Sequence, residues 1–211
     1  MAISGSPFLN VRTAYVSKIW AHLTKNLLTK SSTERFRKYI KFTGGKKMRY
    51  HNITKDDMLN GDGLRVVLWV SGCSHCCKEC QNPVTWDPNS GILFDESAKQ
   101  EIFEQLEKAY ISGITFSGGD PLYVQNISEV TKLAKEIKEK YPSKTIWLYT
   151  GALWESLQGE EILNYLDVLV DGEFMIEKKN VALKWKGSSN QRVIDVQKSL
   201  KEKQIILHAE G

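Results

Sequence analysis

The residues with the clearest chemical potential are four cysteines within one stretch, residues 73–80, which reads Cys-Ser-His-Cys-Cys-Lys-Glu-Cys. Cys73, Cys77 and Cys80 have the spacing CxxxCxxC, which allows three thiolates of a single loop to hold one metal centre. The chain contains no other cysteine, so we do not expect disulfides between distant parts of the fold. Clustered thiols of this kind are typical of a soft-metal site in a reducing compartment.

The spacing alone leaves the kind of metal centre open. An iron–sulfur cubane held by three cysteines keeps one iron free for a substrate, whereas zinc would need a fourth ligand, for which His75 is the nearby candidate. Inert buried cysteines are a third interpretation. Using Cys76 would break the three-residue spacing, so we expect it to be a passive neighbour. We expect His75 to be a solvated loop residue.

A second candidate site is the sequence Gly118-Gly119-Asp120, which directly follows an apolar run. Taken alone, it predicts a tight strand-to-helix turn in which Asp120 caps the next helix. Together with the upstream cysteine loop it indicates a ligand site. Glycine allows a ligand to approach the backbone closely, and a carboxylate can bind a cationic ammonium group.

The elements that must position these residues follow an α/β pattern from residue 64 onward. Apolar runs rich in β-branched residues predict strands at 64–70, 114–116, 145–149, 168–170 and 192–194. Apolar residues at helical spacing predict two helices, one containing Ile102, Leu106 and Ala109 and one running from Ile127 to Ile137. Asp95 or Ser97 is the expected N-cap of the first helix. The alternation of strands and helices predicts a parallel sheet or barrel, and because glycines follow several strands, we expect the strand carboxyl ends to carry the ligand site.

Residues 1–47 differ from the remainder in charge, with ten Lys or Arg and a single acidic residue, whereas the rest of the chain is mildly acidic. We therefore predict a basic N-terminal extension over residues 1–47 and one domain over residues 48–211. Apolar residues around Trp20 recur at helical spacing and predict a basic amphipathic helix. An extension without a role, a helix that binds a partner or a membrane surface, and an organelle presequence are all consistent with this composition.

Charge and hydropathy argue against two classes of protein. The basic residues are concentrated in the extension, so a basic groove for nucleic acid is not expected in the body of the chain. Charged residues interrupt every apolar run well before the roughly 18 residues that a transmembrane helix needs. With the clustered thiols, these features predict a cytoplasmic protein.

The cysteine loop and the Gly-Gly-Asp sequence together resemble the radical S-adenosylmethionine superfamily. Within it, the chain is similar to the activating proteins of anaerobic ribonucleoside-triphosphate reductases over seven ordered segments, residues 60–65, 70–73, 81–86, 117–122, 148–151, 167–172 and 187–192. The resemblance begins at Met48, covers the body of the chain, and leaves residues 1–47 without a counterpart. It implies a compact, incomplete parallel (β/α) barrel of the radical SAM type.

The resemblance also implies roles for single residues. It makes Cys73, Cys77 and Cys80 the ligands of a [4Fe-4S] cluster. Around bound S-adenosylmethionine it places Glu79, Cys80 and Gln81, and at the methionyl amino end of that molecule it places Gly118, Gly119 and Asp120. Glu79 stands where many superfamily members have an aromatic residue, so we do not expect stacking on the adenine from this position.

The implied reaction begins when a one-electron donor such as flavodoxin or ferredoxin reduces the cluster. Cleavage of S-adenosylmethionine then yields methionine and a 5′-deoxyadenosyl radical, which removes hydrogen from a backbone glycine of the large reductase subunit. No side chain is expected to act as a general acid or base, because the cluster and cosubstrate supply the chemistry. The alternatives are an activating enzyme of another glycyl-radical enzyme, of the formate-lyase type, and a structural zinc-binding adaptor.

Overall fold

A computed structural model of the protein describes residues 47–208. Seven strands form one sheet in the order β3-β1-β2-β4-β5-β6-β7. The strands are β1 (Arg49–Asp57), β2 (Leu64–Val70), β3 (Ile92–Leu93), β4 (Ile111–Gly118), β5 (Thr145–Tyr149), β6 (Val168–Asp171) and β7 (Arg192–Asp195). The α-helices within residues 47–208 are α1 (Glu96–Leu106), α2 (Ile127–Lys140) and α3 (Val196–Glu202). The predicted basic helix around Trp20 lies outside the described residues. Of the predicted extension over residues 1–47, the structure describes only Lys47.

The centre of the sheet is parallel, as the sequence predicts. Strand β2 pairs with β4, β4 with β5, and β5 with β6, all in the parallel direction. Helix α1 lies between β2 and β4 in the chain, and α2 lies between β4 and β5, so each provides a crossover of the βαβ type. The carboxyl ends of these four strands therefore lie at one edge of the sheet, where the candidate site is expected.

The expectation of a purely parallel sheet is wrong at both margins. Strand β1 is antiparallel to β2, and only residues 58–63 connect the two strands. A parallel arrangement would need a crossover of a dozen or more residues, which this connection cannot provide. Strand β7 is antiparallel to β6, and β3 is antiparallel to β1. The sheet is therefore mixed, with a parallel centre.

The larger hydrophobic core packs the helices against one face of the sheet. Four apolar residues of α2 are buried as predicted: Val130, Leu133, Ala134 and Ile137. They share this core with Ile146 and Leu148 of β5. Each large side chain buried in this way stabilises the fold by roughly 1.5–3 kcal/mol. Helix α1 begins after the predicted cap Asp95, whose side chain accepts from Ala98 N at 3.0 Å, but it ends at Leu106, before Ala109.

The opposite face of the sheet carries a smaller aromatic cluster that includes Trp147, Val170 and Trp185. Trp147 alternates with Ile146 and Leu148 along β5, and consecutive side chains of a strand point to opposite faces. Arg65 is completely buried beside this cluster, where it donates to Thr115 Oγ1 at 2.8 Å and to Ile114 O at 2.7 Å. Burial lowers the pKa of Arg65 to about 10, so the side chain remains a cation at neutral pH.

None of the helices found between residues 47 and 208 combines the length and apolar character that crossing a membrane requires.

Candidate functional site

The cysteine loop leaves the carboxyl end of β2 and is fastened by backbone hydrogen bonds. Gly72 N donates to Thr85 O at 2.7 Å, and Cys73 N donates to Trp86 O at 3.1 Å. Further along the loop, Cys80 N donates to Cys77 O at 3.1 Å. All four cysteines are free thiols. Cys73, Cys77 and Cys80 are partly buried, and Cys76 is exposed.

The protein environment of two of these thiols combines burial with backbone donors. Burial raises the pKa of the Cys73 thiol to about 11, while the amides of His75 and Cys76 donate to its sulfur and oppose that shift. Burial also raises the pKa of Cys77, and the amide of Phe174 opposes it. A bound metal cation would favour the thiolate forms, which these amides can then stabilise.

The three predicted ligands are neighbours, yet they do not meet at one point. After burial, the charges of Asp120 and Cys77 also raise the pKa of Cys73, and those of Glu173 and Cys80 raise the pKa of Cys77, so each thiol lies within electrostatic reach of the next. Within residues 47–208, no three His, Cys, Asp or Glu side chains are grouped so that they could hold a metal ion. In a cubane each thiolate binds a different iron, so its ligands need not converge on a single ion. Three adjacent free thiols with sulfur-directed amides fit such a cluster.

The Gly-Gly-Asp turn lies directly against the start of the cysteine loop. Gly119 N donates to Val70 O and Asp120 N donates to Gly72 O, both at 2.8 Å. Gly118 has a φ of +105°, and a Cβ there would lie 2.7 Å from backbone atoms of Val70. A Cβ on Gly119 would lie 2.5 Å from Gly72 O. Both glycines are therefore required for the two motifs to approach each other this closely.

Asp120 is a buried carboxylate, with 4% of the residue exposed. Its Oδ1 accepts from Leu122 N at 2.8 Å, and Thr150 Oγ1 lies 3.0 Å from both carboxylate oxygens. Its Oδ2 also contacts His75 Nε2 at 2.8 Å. Helix α2 begins only at Ile127, so Asp120 does not cap it, in contrast to the helix-capping interpretation. The carboxylate instead joins three segments of the chain.

His75 is not the solvated loop residue that the sequence predicts. Its side chain is 21% exposed, with Nε2 at 2.8 Å from Asp120 Oδ2 and Nδ1 at 2.8 Å from Glu173 Oε1. Carboxylates only accept hydrogen bonds, so both ring nitrogens donate and the ring is an imidazolium. The hydrogen bond to Asp120 is the main cause that raises the pKa of His75 to about 9, against the opposing effect of burial.

The two remaining predicted cosubstrate contacts, Glu79 and Gln81, are exposed on either side of Cys80. Glu79 has a φ of +55°, in the left-handed region. Cys76 also has a positive φ, of 48°. Left-handed conformations cost a non-glycine residue roughly 1–2 kcal/mol each, and backbone strain of this kind occurs often in functional loops.

Asn126 belongs to the site although no sequence pattern indicates it. The residue is completely buried, and its Nδ2 donates to Ser71 O at 2.8 Å and to Asp120 O at 3.0 Å. It thereby joins the start of the cysteine loop to the Gly-Gly-Asp turn a second time. Because asparagine is a common N-cap residue, the position of Asn126 directly before a helix indicates only that structural role in the sequence.

The segment between β6 and β7 completes this edge of the sheet. Gln191 Oε1 accepts from Gly187 N at 2.9 Å, and its Nε2 donates to Gly172 O at 2.9 Å. Asn190 Nδ2 donates to Glu173 O at 2.8 Å. Because Glu173 also contacts His75, this segment borders the cysteine loop directly.

Comparison with known proteins agrees with this arrangement. Residues 59–194 match the family model of a 4Fe-4S single cluster domain. The chain is 44% identical over 148 residues to the anaerobic ribonucleoside-triphosphate reductase-activating protein of Enterobacteria phage T4, covering 69% of this chain and 93% of the relative. It is 41% identical over 150 residues to the protein of the same name from Escherichia coli strain K12, covering 69% and 97% respectively.

The protein of this name from Haemophilus influenzae is 39% identical over 148 residues, which cover 68% of this chain and 96% of the relative. The matches thus span nearly the whole length of each relative, and the domain match contains both the cysteine loop and the Gly-Gly-Asp turn. The chain therefore belongs to the family of anaerobic ribonucleoside-triphosphate reductase-activating proteins.

Proposed function

We propose that this protein is an oxidoreductase that activates an anaerobic ribonucleoside-triphosphate reductase, using a [4Fe-4S] cluster and S-adenosylmethionine to form a glycyl radical on the large reductase subunit. The observation that carries the proposal is the junction of the two motifs. A loop of three spaced, free thiols is hydrogen-bonded to a Gly-Gly-Asp turn at the carboxyl ends of parallel strands. The names of the relatives support the same target.

The residues that would hold the cluster are Cys73, Cys77 and Cys80. When bound, the cluster supplies the electron that cleaves S-adenosylmethionine reductively, and the resulting carbon radical can take hydrogen from a glycine. Cys76 takes no part in this assignment, since it is exposed and outside the required spacing.

The residues that would bind S-adenosylmethionine are the turn residues Gly118, Gly119 and Asp120, with Glu79 and Gln81 beside Cys80. The Asp120 carboxylate is already bonded to other side chains, so we propose that the turn receives the amino end of the cosubstrate mainly through its backbone. Gly118 and Gly119 are both half-buried, and backbone carbonyl oxygens there could accept hydrogen bonds from a cationic ammonium group. In this assignment the protein binds and orients, and no side chain transfers a proton.

We further propose that the mixed sheet is an incomplete barrel of the radical SAM type. Four neighbouring parallel strands, with the cysteine loop and the Gly-Gly-Asp turn at their carboxyl ends, support this, since parallel barrels bind ligands at that end. The reductase would then dock around Gly119 and residues 188–190. A flavodoxin or ferredoxin would serve as the electron donor, and the free thiols are consistent with the reducing cytoplasm.

Two measurements test the proposal. The full chain, purified without oxygen, should be brown and contain iron and sulfide, whereas a zinc-binding adaptor would be colourless. Incubation with a strong reductant, S-adenosylmethionine and the reductase should give a glycine-centred doublet in the electron paramagnetic resonance spectrum. That doublet should require both proteins. Release of 5′-deoxyadenosine without a radical on the reductase would instead indicate a different glycyl-radical partner, such as one of the formate-lyase type.

A further inference from the structure

The imidazole of His75 lies where the ends of three parallel strands meet. Its Nε2 contacts Asp120, which follows β4, and its Nδ1 contacts Glu173, which follows β6. Gly151 follows β5, and a Cβ on it would lie 2.6 Å from ring atoms of His75. We infer that His75 is a positioning residue, which clasps the cysteine loop to these three strand ends and sets its location relative to the Gly-Gly-Asp turn.

The inner contact of this clasp is rigid. Asp120 is almost completely buried, and Thr150 and Leu122 N bond its carboxylate in addition to His75. Its main chain is fixed as well, because Asp120 N donates to Gly72 O at 2.8 Å. A side chain that bonds to this carboxylate is therefore held against the sheet itself.

The outer contact is weaker, since the Glu173 side chain is 54% exposed. Exposed ion pairs contribute little to stability, so we expect Asp120 to determine where the ring lies. Glu173 then sets the orientation of the ring through the second nitrogen. Gly151 contributes only by having no side chain, because any Cβ at that position would displace the imidazole.

The place of His75 in the loop gives the clasp its effect. His75 lies two residues after Cys73 and two residues before Cys77, so fixing its side chain restricts the backbone that carries both thiols. Hydrogen bonds to residues 85 and 86 already fasten the loop at Gly72 and Cys73. The clasp adds a second attachment nearer the middle. Loss of a residue that orients metal ligands without binding the metal commonly reduces metal affinity or activity by about 10–100-fold.

The inference rests on the proposed function only in assigning a cluster to this loop, so its first test uses the cluster-free full chain. Amide hydrogen exchange of residues 72–80 should be faster in His75→Ala and in Gly151→Ala by roughly tenfold, the effect expected from losing a charged hydrogen bond. The double variant should exchange no faster than His75→Ala, because both changes release the same contact. Unchanged exchange in both single variants would overturn the clasp.

The matched control is His208→Ala. His208 Nε2 pairs with Asp62 Oδ2 at 2.7 Å, and its side chain is 22% exposed, nearly the same as His75 at 21%. Asp62 precedes β2, so this pair lies away from the strand carboxyl ends. His208→Ala should leave exchange of residues 72–80 unchanged. Equal acceleration in the control would mean that exchange reports general loosening, and the clasp would be rejected.

The second readout is spectroscopic and uses the reconstituted full chain. The change that S-adenosylmethionine causes in the electron paramagnetic resonance signal of the reduced cluster should need about tenfold more cosubstrate in His75→Ala. His75→Gln, whose amide can still donate to Asp120, should recover part of this loss. Equal titrations of wild type and His75→Ala would overturn the positioning role, and so would a loss that His75→Gln does not recover in part.

The two hypotheses fail in different ways. Wild-type protein without a cluster, but with the predicted exchange differences, would reject the proposed function and retain the clasp. Wild-type protein that binds a cluster, with identical exchange in every variant, would retain the proposed function and reject the clasp.

Discussion

Arg192, the first residue of β7, pairs with the completely buried carboxylate of Asp171 at the end of β6. Its Nε donates to Asp171 Oδ1 at 2.9 Å, and its Nη2 contacts the other oxygen. The same carboxylate accepts from Trp154 N at 2.8 Å. On the outer side, Arg192 donates to both oxygens of Glu155 at 2.9 Å. One guanidinium thus joins a buried anion to an exposed one.

Replacing Arg192 with Ala should reduce the free energy of unfolding by about 3–5 kcal/mol, because it leaves the buried Asp171 charge without its partner. Urea denaturation of the full chain, followed by circular dichroism, measures this change. The matched control is Glu155→Gln, which removes only the exposed partner and should cost no more than about 1 kcal/mol. Equal, small losses in both variants would show that the buried pair is not a major contribution.

The Glu155 carboxyl group should titrate below its ordinary pKa. The hydrogen bond from Arg192 is the main cause that lowers the pKa of Glu155. Because the Glu155 side chain is 58% exposed, solvent screens this contact and we expect a modest shift. A depressed pKa means that the contact stabilises the fold above the ordinary value near 4.5 and is lost as the pH falls through the lowered value. The carboxyl carbon shift, followed by nuclear magnetic resonance, should show this low midpoint in wild type. In Arg192→Ala the midpoint should return toward the ordinary value, and a wild-type midpoint near 4.5 would contradict the prediction.

Replacing Cys73, Cys77 or Cys80 with Ala should abolish the cluster, because each supplies one of three protein thiolates. Cys76→Ala is the matched control within the same loop and should retain the cluster. Iron and sulfide content and the visible absorption of anaerobically reconstituted protein measure the outcome. The ligand assignment is wrong if Cys76→Ala loses its iron while one of the other three variants keeps it.

Much of the parallel centre could be predicted because its strands are buried on both faces. Strands β2 and β5 occupy the same residues as the apolar runs at 64–70 and 145–149. Strand β1 was missed because its sequence, RYHNITKDD, is mostly polar and lies near the margin of the sheet. The position of β1 in the sheet depends on its pairing with β2, and the local amino-acid composition does not indicate that pairing. The antiparallel direction of β7 likewise depends on pairing with β6.

The site could be predicted where chemistry depends on local spacing, as in the CxxxCxxC loop. His75 could not, because its partners Asp120 and Glu173 are 45 and 98 residues away in the chain. A histidine in a loop gives no indication of which strand ends will face it. The buried amide of Asn126 was missed for the same reason, since its partner Ser71 lies 55 residues earlier.

Replacing Gly119 with Ala should separate the Gly-Gly-Asp turn from the cysteine loop. The added Cβ would lie 2.5 Å from Gly72 O and 2.9 Å from Thr85 O, both backbone atoms that cannot move freely. We expect a loss of stability of about 1–3 kcal/mol and weaker binding of S-adenosylmethionine to the reconstituted protein. Gly159→Ala is the control for cosubstrate binding, since nothing lies within 4 Å of a Cβ there, although its φ of +86° should by itself cost roughly 1–2 kcal/mol of stability. Equal cosubstrate binding in both variants would contradict the proposed turn contact.

A chain that begins at Met48 should fold and carry out the proposed cleavage of S-adenosylmethionine. Met48 itself is 3% exposed, and its carbonyl accepts from Phe94 N at 3.0 Å, so the body of the fold includes it. Removing Lys47 deletes the bond from Gln125 Nε2 to its carbonyl, but Gln125 retains Pro88 O at 3.1 Å. The free energy of unfolding should therefore change by no more than about 1 kcal/mol.

Urea denaturation, iron content and release of 5′-deoxyadenosine should be compared between this shortened chain and the full chain. A second variant, which keeps Lys47 behind an added initiator methionine, separates loss of the Gln125 bond from loss of the preceding residues. If both shortened chains are insoluble or inactive, residues 1–46 belong to the working domain. If only the chain without Lys47 is impaired, the boundary lies one residue earlier than the charge pattern predicts, and the extension is still dispensable for the reaction.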